Sequence, residues 1–331
     1  MAELIKTDQL TKRFGNIAAV NGISLSVKKG EVLGFLGPNG AGKSTTMKII
    51  TGFLEPDSGS VVINGTPMAQ QPIKAKQQIG YLPEGAPAYG DMTAEAFLRF
   101  IAQIRGFAGR EQDYQVHQAA DKTGLNSVLQ QSIETLSKGY KRRVGLAQAI
   151  LHDPDILILD EPTDGLDPNQ KHQVRTLIEE MAAAKAIIVS THILEEVEAV
   201  CTRAVVIDKG RIVADGTAED LMRRMPYHNA VALRVNDDAA DALKTALQDL
   251  GSVARVEEIS RINGHVRLRA VPNGQSTIAG DIAALVRDRS IAVDELLVER
   301  GKLDEVFREI TTSDTVTASE TSPGTAGSSG N

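Results

Sequence analysis

The chain has 331 residues, 42% of them apolar, with 36 basic against 43 acidic side chains and a net charge of −7. That length suits one large domain plus a smaller one, and the acidic balance argues against non-specific binding to nucleic acid or anionic lipid, so no nucleic-acid partner is expected. Cys201 is the lone cysteine, which excludes an internal disulfide and a cysteine-based metal site and fits a reducing compartment.

The N-terminal MAELIKTDQL lacks the basic-then-apolar pattern of a secretion signal, and no run approaches the roughly 18 apolar residues of a membrane span. A soluble cytoplasmic chain is the expectation, reaching a membrane only by docking to another protein. Up to about residue 225 short β-branched runs alternate with helical patterns, which predicts an α/β domain. A first strand, EVLGFLG (Glu31–Gly37), runs into GPNGAGKST (Gly37–Thr45), which opens a helix. That strand-to-helix setting is what a phosphate-binding loop requires. Its glycines let backbone N–H groups converge on phosphate oxygens, Lys43 brings charge to the β and γ phosphates, and Ser44 offers an oxygen to Mg²⁺. A fortuitous glycine-rich turn is the competing reading, and the flanking strand and helix weigh against it.

SVVING (Ser60–Gly65) reads as another strand. In DMTAEAFLRFIAQIRGF (Asp91–Phe107), Phe97, Phe100, Ile101 and Ile104 make an apolar stripe at helical spacing, either core or part of a groove for a partner helix. LSKGY then places Ser137 at the start of an amphipathic helix carrying Val144, Ala147 and Leu151. A serine there caps the helix, and together with free N–H groups it is also an anion site. Lys141, Arg142 and Arg143 read as a solvated helix face that does no more than help attract nucleotide.

DILILDE (Asp155–Glu161) is an apolar strand that ends in carboxylates, and Asp160, Glu161, Asp164 and Asp167 fall within eight positions. Open α/β sheets bind ligands at the C-terminal ends of their strands. Asp160 at that end can hold the hydration shell of Mg²⁺, while Glu161, pointing elsewhere, can orient or deprotonate an attacking water. An acidic surface loop would not need the apolar strand before it. AIIVST (Ala186–Thr191) is a strand followed by His192, and AVVIDKGRIVADG (Ala204–Gly216) a hairpin turning at Asp208-Lys209-Gly210. Cys201, beside that hairpin, reads as a buried small apolar residue. Near Pro226 the texture changes to strand (230–235), helix (238–250), strand (253–259), strand (265–271), helix (277–287) and strand (291–298), the split-βαβ order. An amphipathic LDEVFREI follows, and the Ser/Thr/Gly-rich tail after it is expected to be disordered.

The ordered set resembles the ATP-binding-cassette (ABC) family over about Glu3 to Leu221. Gly37, Pro38, Asn39, Gly40, Ala41, Gly42, Lys43, Ser44 and Thr45 look like its Walker A loop. LSKGY, with Ser137 and Gly139, looks like the signature, ILILDE the Walker B strand, and GLDP, with Asp167, the D-loop. In that order His192 matches the switch histidine that touches the γ-phosphate, and Phe14 the aromatic that stacks on adenine; a core phenylalanine is the alternative for Phe14. The resemblance implies ATP and Mg²⁺ as cofactors, Ser44, Asp160 and Glu84 at the metal, and Lys43, Glu161 and His192 in catalysis. Two positions depart from the family pattern. Glu84, in YLPEGAP, stands where most members have Gln in the loop that meets the membrane partner, a variant resembling one branch of bacterial exporter ATPases. Lys138-Gly139-Tyr140 replaces the commonest Gly-Gly-Gln.

The implied fold is a P-loop NTPase of the ABC type over 1–225, a mixed sheet with a helical subdomain at about 86–152. An accessory α+β unit of ferredoxin-like order follows at 226–310 and a tail at 311–331. The implied function is ATP hydrolysis in a head-to-tail pair of identical chains, each Ser137 serving the other's nucleotide. The pair would drive a separate permease, by the same resemblance that of an exporter, from the inner face of the cell membrane. The C-terminal unit resembles extensions that would aid dimer contact or regulation. A soluble ABC ATPase of DNA repair or translation is the alternative, but Ser137 follows Glu84 by only 53 positions, too few for the long coiled coil of the repair enzymes, and there is a single P-loop. A nucleotide-regulated binding module without turnover is disfavoured by the presence of Glu161 and His192.

Overall fold

The computed structural model describes residues 2–85, 88–223, 227–274 and 276–299; LDEVFREI and the tail lie outside them. Two compact units meet in sequence at Thr217 and Ala218.

In the first unit, β1 (Glu3–Phe14) and β2 (Ile17–Lys28) make an antiparallel hairpin. Its four register shifts break the period-2 alternation by which a strand is read from sequence, so the hairpin is not among the predicted elements. β3 (Val32–Leu36) leads into α1 (Lys43–Ile50), followed by β4 (Ser58–Ile63), β5 (Thr66–Pro67), α2 (Pro72–Gln77) and β6 (Ile79–Leu82). A helical stretch holds α3 (Ala94–Ile104), α4 (Gly109–Thr123) and α5 (Lys138–Ile150). Then come β7 (Ile156–Asp160), α6 (Pro168–Ala182), β8 (Ala186–Thr191), α7 (Leu194–Val200), β9 (Arg203–Asp208) and β10 (Arg211–Gly216).

One sheet is antiparallel, in the order β2-β1-β4-β5; the other runs β10-β9-β3-β8-β7-β6 and is parallel apart from the β9–β10 hairpin. The parallel sheet is covered on both faces, which is why its strands read as unbroken apolar runs. Ile156, Ile158 and Ile188 face a core shared with Leu10, Ile23 and Met47. Leu157, Leu159, Ile187 and Val189 face the helices, against Leu98, Val144 and Leu177. The hairpin turns on Lys209 and Gly210, both at positive φ (46° and 77°), while Asp208 still pairs with Arg211. Two residues at positive φ are what a two-residue hairpin turn demands. Among the described residues no helix is long and apolar enough to cross a membrane.

Cys201 is half-buried and not fully buried as its sequence setting suggests, and its sulfur faces Gly34, where an added Cβ would stand 3.0 Å away. Burial, with the Glu196 carboxylate adding to it, pushes the thiol up to about 12 from 9.0. A thiol whose pKa rises by about three units holds about a thousandfold less thiolate at pH 8. A thiol–disulfide reagent at pH 8 is therefore expected to modify the native chain about a thousandfold more slowly than the urea-unfolded one, and equal rates would contradict this packing.

The second unit contains α8 (Ala218–Met222), β11 (Ala230–Asn236), α9 (Asp237–Gln248), β12 (Val253–Ile262), β13 (His265–Pro272), α10 (Ala279–Asp288) and β14 (Glu295–Glu299). Its sheet order is β12-β13-β11-β14, antiparallel throughout, with Leu233, Leu243, Leu268 and Ile282 in the core. This is the connectivity of the split-βαβ arrangement. The division between the units falls at Thr217/Ala218 instead of near 225, and among the strands here the largest shift is in the last, which begins at Glu295, not Ile291. Ile291 N donates to Val286 O (3.0 Å) and Ser290 N to Arg287 O (3.1 Å), with Ser290 at φ 51°. That pair of bonds closes α10 as a Schellman cap and uses up the residues before the strand.

Candidate active site

The ends of β3, β7 and β8 are neighbours in one sheet, and each delivers chemistry. After β3 the glycine-rich loop folds back on itself: Ala41 N donates to Pro38 O (3.1 Å) and Lys43 Nζ to Gly37 O (2.7 Å) and Pro38 O (3.2 Å). Gly42 sits at φ 107°, where an added Cβ would lie 2.2 Å from Ala19 O, so no other residue fits there. The loop frames a cavity of about 240 Å³ with Asn39, Gly40, Ser44 and Thr45 on one side and Glu84 and Glu161 on the other. Burial pushes the Lys43 ammonium below its usual range, and the Glu161, Asp160 and Glu84 carboxylates oppose that shift.

The four clustered carboxylates take separate roles. Asp160, only 1% exposed, accepts from Ser190 Oγ through Oδ1. Its Oδ2 is buried with no hydrogen-bond partner, an oxygen that a water or a hydrated cation would satisfy. Glu161 turns out of the strand at φ 52° and sets Oε1 2.9 Å from His192 Nδ1. Asp164 is exposed. Asp167 caps α6 in a capping box with Gln170, whose backbone N–H it accepts at 2.9 Å.

Ser137 is the N-cap of α5, its Oγ accepting from Tyr140 N at 3.3 Å. A Cβ on Gly139 would come 2.7 Å from Gln170 Oε1, so the signature helix and α6 approach closely there. Ser137, Gly139 and Asp167 do not line the cavity of their own chain, and neither do Asp160 and His192, which stand next to its lining residue Glu161 in sequence and at 2.9 Å respectively. Phe14 ends β1 and is 51% exposed, which removes the core reading. It too stands outside the cavity lining, although β2 carries Ala19 from that hairpin into it.

The charged triplet on α5 is the main correction to the sequence reading. Arg142 is 5% exposed; it donates to Pro83 O (3.0 Å) and to the carbonyls of Asp160 and Glu161. One guanidinium thus holds the loop carrying Glu84, the end of β7 and the signature helix together. Arg143 is buried as well and donates to Gln173 Oε1 (2.7 Å) on α6. Burial pulls the Arg142 guanidinium below its usual range, with Asp160, Asp164, Glu161 and Glu84 opposing. Helical periodicity could have flagged both residues, since Arg142 and Arg143 stand one turn before the buried Leu146 and Ala147.

Sheet, glycine loop and strand-end carboxylates together define a P-loop domain. A family model described as "ABC transporter" matches residues 20–164. The linearmycin resistance ATP-binding protein LnrL of Bacillus subtilis is 31% identical over 309 residues, 93% of this chain and 98% of LnrL. The probable multidrug ABC transporter ATP-binding protein YbhF of Escherichia coli is 38% identical over 219 residues, 66% of this chain; the match spans only 38% of YbhF. A solved structure of an ATP-binding subunit of an ABC transporter aligns with TM-score 0.62 and 33% identity, over 67% of this chain and 92% of the other. The chain belongs to the ABC transporter ATP-binding family.

Proposed function

We propose that the chain is the ATP-hydrolysing subunit of an ABC exporter, working as a head-to-tail pair on a separate membrane permease. ATP would lie with its phosphates in the glycine loop, where Lys43 and the N–H groups of Gly40 to Thr45 neutralise them, and with its base against exposed Phe14. Mg²⁺ fits the residues present: Ser44 at the cavity, the unpartnered Asp160 Oδ2 and exposed Glu84, completed by phosphate oxygens. When bound, it would supply charge neutralisation at the β and γ phosphates. Glu161 would take the proton of the attacking water and His192, fixed against it, would orient the γ-phosphate. Ser137, at the N-terminus of α5, and Gly139 would serve the nucleotide of a second copy.

One observation carries the transport reading. Beside the cavity lies an apolar groove of about 770 Å³ with Tyr89, Phe100, Ile104 and the 77% exposed Phe53 along it, and Glu84 lines both groove and cavity. A permease helix seated there would touch the side chain that faces the nucleotide. The predicted stripe is accordingly divided: Phe97 packs in the core while Ile104 stays open to the groove. The second unit, from Ala218 onward, would then serve dimer contact or regulation.

The test is to purify the Glu161→Gln chain with ATP from gently solubilised native membranes and identify what accompanies it by mass spectrometry. A stoichiometric multi-span membrane protein is the expected companion. Ribosomes, DNA or a soluble complex would leave the ATPase reading standing and overturn the transport one.

A further inference from the structure

We propose that Glu196 is a positioning residue that sets Glu161, His192 and the Asp167 loop relative to one another. It lies on α7, outside the motifs discussed above, and is 4% exposed. A buried carboxylate is costly unless it is satisfied. Here Oε1 accepts from Thr163 Oγ1, and Oε2 from Thr191 Oγ1 at 2.9 Å. Lys171 Nζ stands 3.9 Å from Oε1.

Each partner belongs to a different loop of the site. Thr163 is two residues past Glu161, in a loop closed by Asp164 N donating to Glu161 O (3.1 Å). Thr191 immediately precedes His192, and its hydroxyl also accepts from Ile193 N at 3.0 Å, so one oxygen clasps the backbone on both sides of the histidine. Lys171 is in the first turn of α6, where its N–H donates to Asp167 O (2.9 Å). Glu196 therefore directs the Thr191 hydroxyl, the hydroxyl fixes the turn, and the turn aims the His192 ring at Glu161. Networks of this kind act as units, so removing the shared acceptor frees all three loops at once. Nothing in the network touches the glycine loop, so nucleotide affinity should be spared.

The inference rests on the ATPase reading, and the experiment separates the two. Steady-state ATP hydrolysis is measured on the full chain, its Glu196→Ala and Glu196→Gln variants, and Thr191→Val, which keeps the carboxylate but cuts the link to His192. The expected result is a kcat lower by at least about tenfold in Glu196→Ala, with KM for ATP within about twofold. Glu196→Gln, isosteric and able to pair with hydroxyls that rotate, should stay within about threefold of the parent. Thr191→Val should lose about fivefold or more, and answers the question if Glu196→Ala fails to fold. A kcat within twofold of the parent in Glu196→Ala and Thr191→Val, or a KM rising in step with the loss, would overturn the proposal. A parent with no turnover would defeat the ATPase reading instead. The His192 ring resonance of the nucleotide-free chain, assigned by its absence in His192→Ala, then decides: it should move in Glu196→Ala and Thr191→Val, and an unmoved resonance overturns the positioning role.

Discussion

Glu161→Gln is expected to lower ATP turnover by about 10² to 10⁴-fold, the range a positioned general base supplies. The residue lines the cavity beside Lys43, and its Oε1 lies 2.9 Å from His192 Nδ1, so glutamine keeps the shape and loses only the basicity. ATP affinity should hold, because Lys43 and the loop N–H groups are untouched. Removing the Glu161 charge also takes away a carboxylate that repels phosphate oxygens from the cavity it lines. Binding without hydrolysis should accumulate the closed pair, visible as an ATP-dependent dimer by size exclusion with light scattering. Turnover near the parental rate would place the base elsewhere, and a variant that binds ATP yet stays monomeric at every concentration would remove the self-sufficient pair from the proposal.

Arg142→Met should produce the largest loss of stability. The substitution keeps length and packing but takes the guanidinium donor from the carbonyls of Pro83 and Asp160, while that of Glu161 keeps Asp164 N at 3.1 Å. An unpaired buried carbonyl costs about 1–3 kcal/mol, while removing a buried guanidinium returns part of that through relieved desolvation. A net loss of about 3 kcal/mol lowers Tm by about 6–12 °C for a unit of this size. Differential scanning calorimetry of the first unit's transition checks it, and a shift under about 2 °C would mean that water or a neighbour replaces the donor. Turnover should fall as well, since the same guanidinium holds the backbone of Glu161 and the residue before Glu84.

The ABC-type cassette was legible in the chain because its functional loops are contiguous. Gly37–Thr45 needs a local backbone path that only glycine permits at Gly42, and such a path is written in consecutive residues. ILILDE and AIIVST were equally plain, since strands buried on both faces run apolar up to the polar residues at their C-terminal ends. The β1–β2 hairpin was not, because its bulges scramble the alternation. Nor was the start of β14, where a helix cap claims residues whose composition suits a strand.

What the sequence by itself determined is which side chains the reaction has at its disposal, and their order along the chain. Only the tertiary structure decided what each one faces. Asp160, Glu161, Asp164 and Asp167 are one acidic cluster in sequence, yet they become a buried oxygen without a partner, a group held against His192, a solvated carboxylate and a helix cap. Arg142 and Glu196 look like ordinary surface charges on helices, and folding buries both behind the site. The physical reason is that a charge is written in the residue, whereas its solvation and its partners come from segments far away: Arg142 is 59 positions from Pro83, and Thr163 is 33 from Glu196.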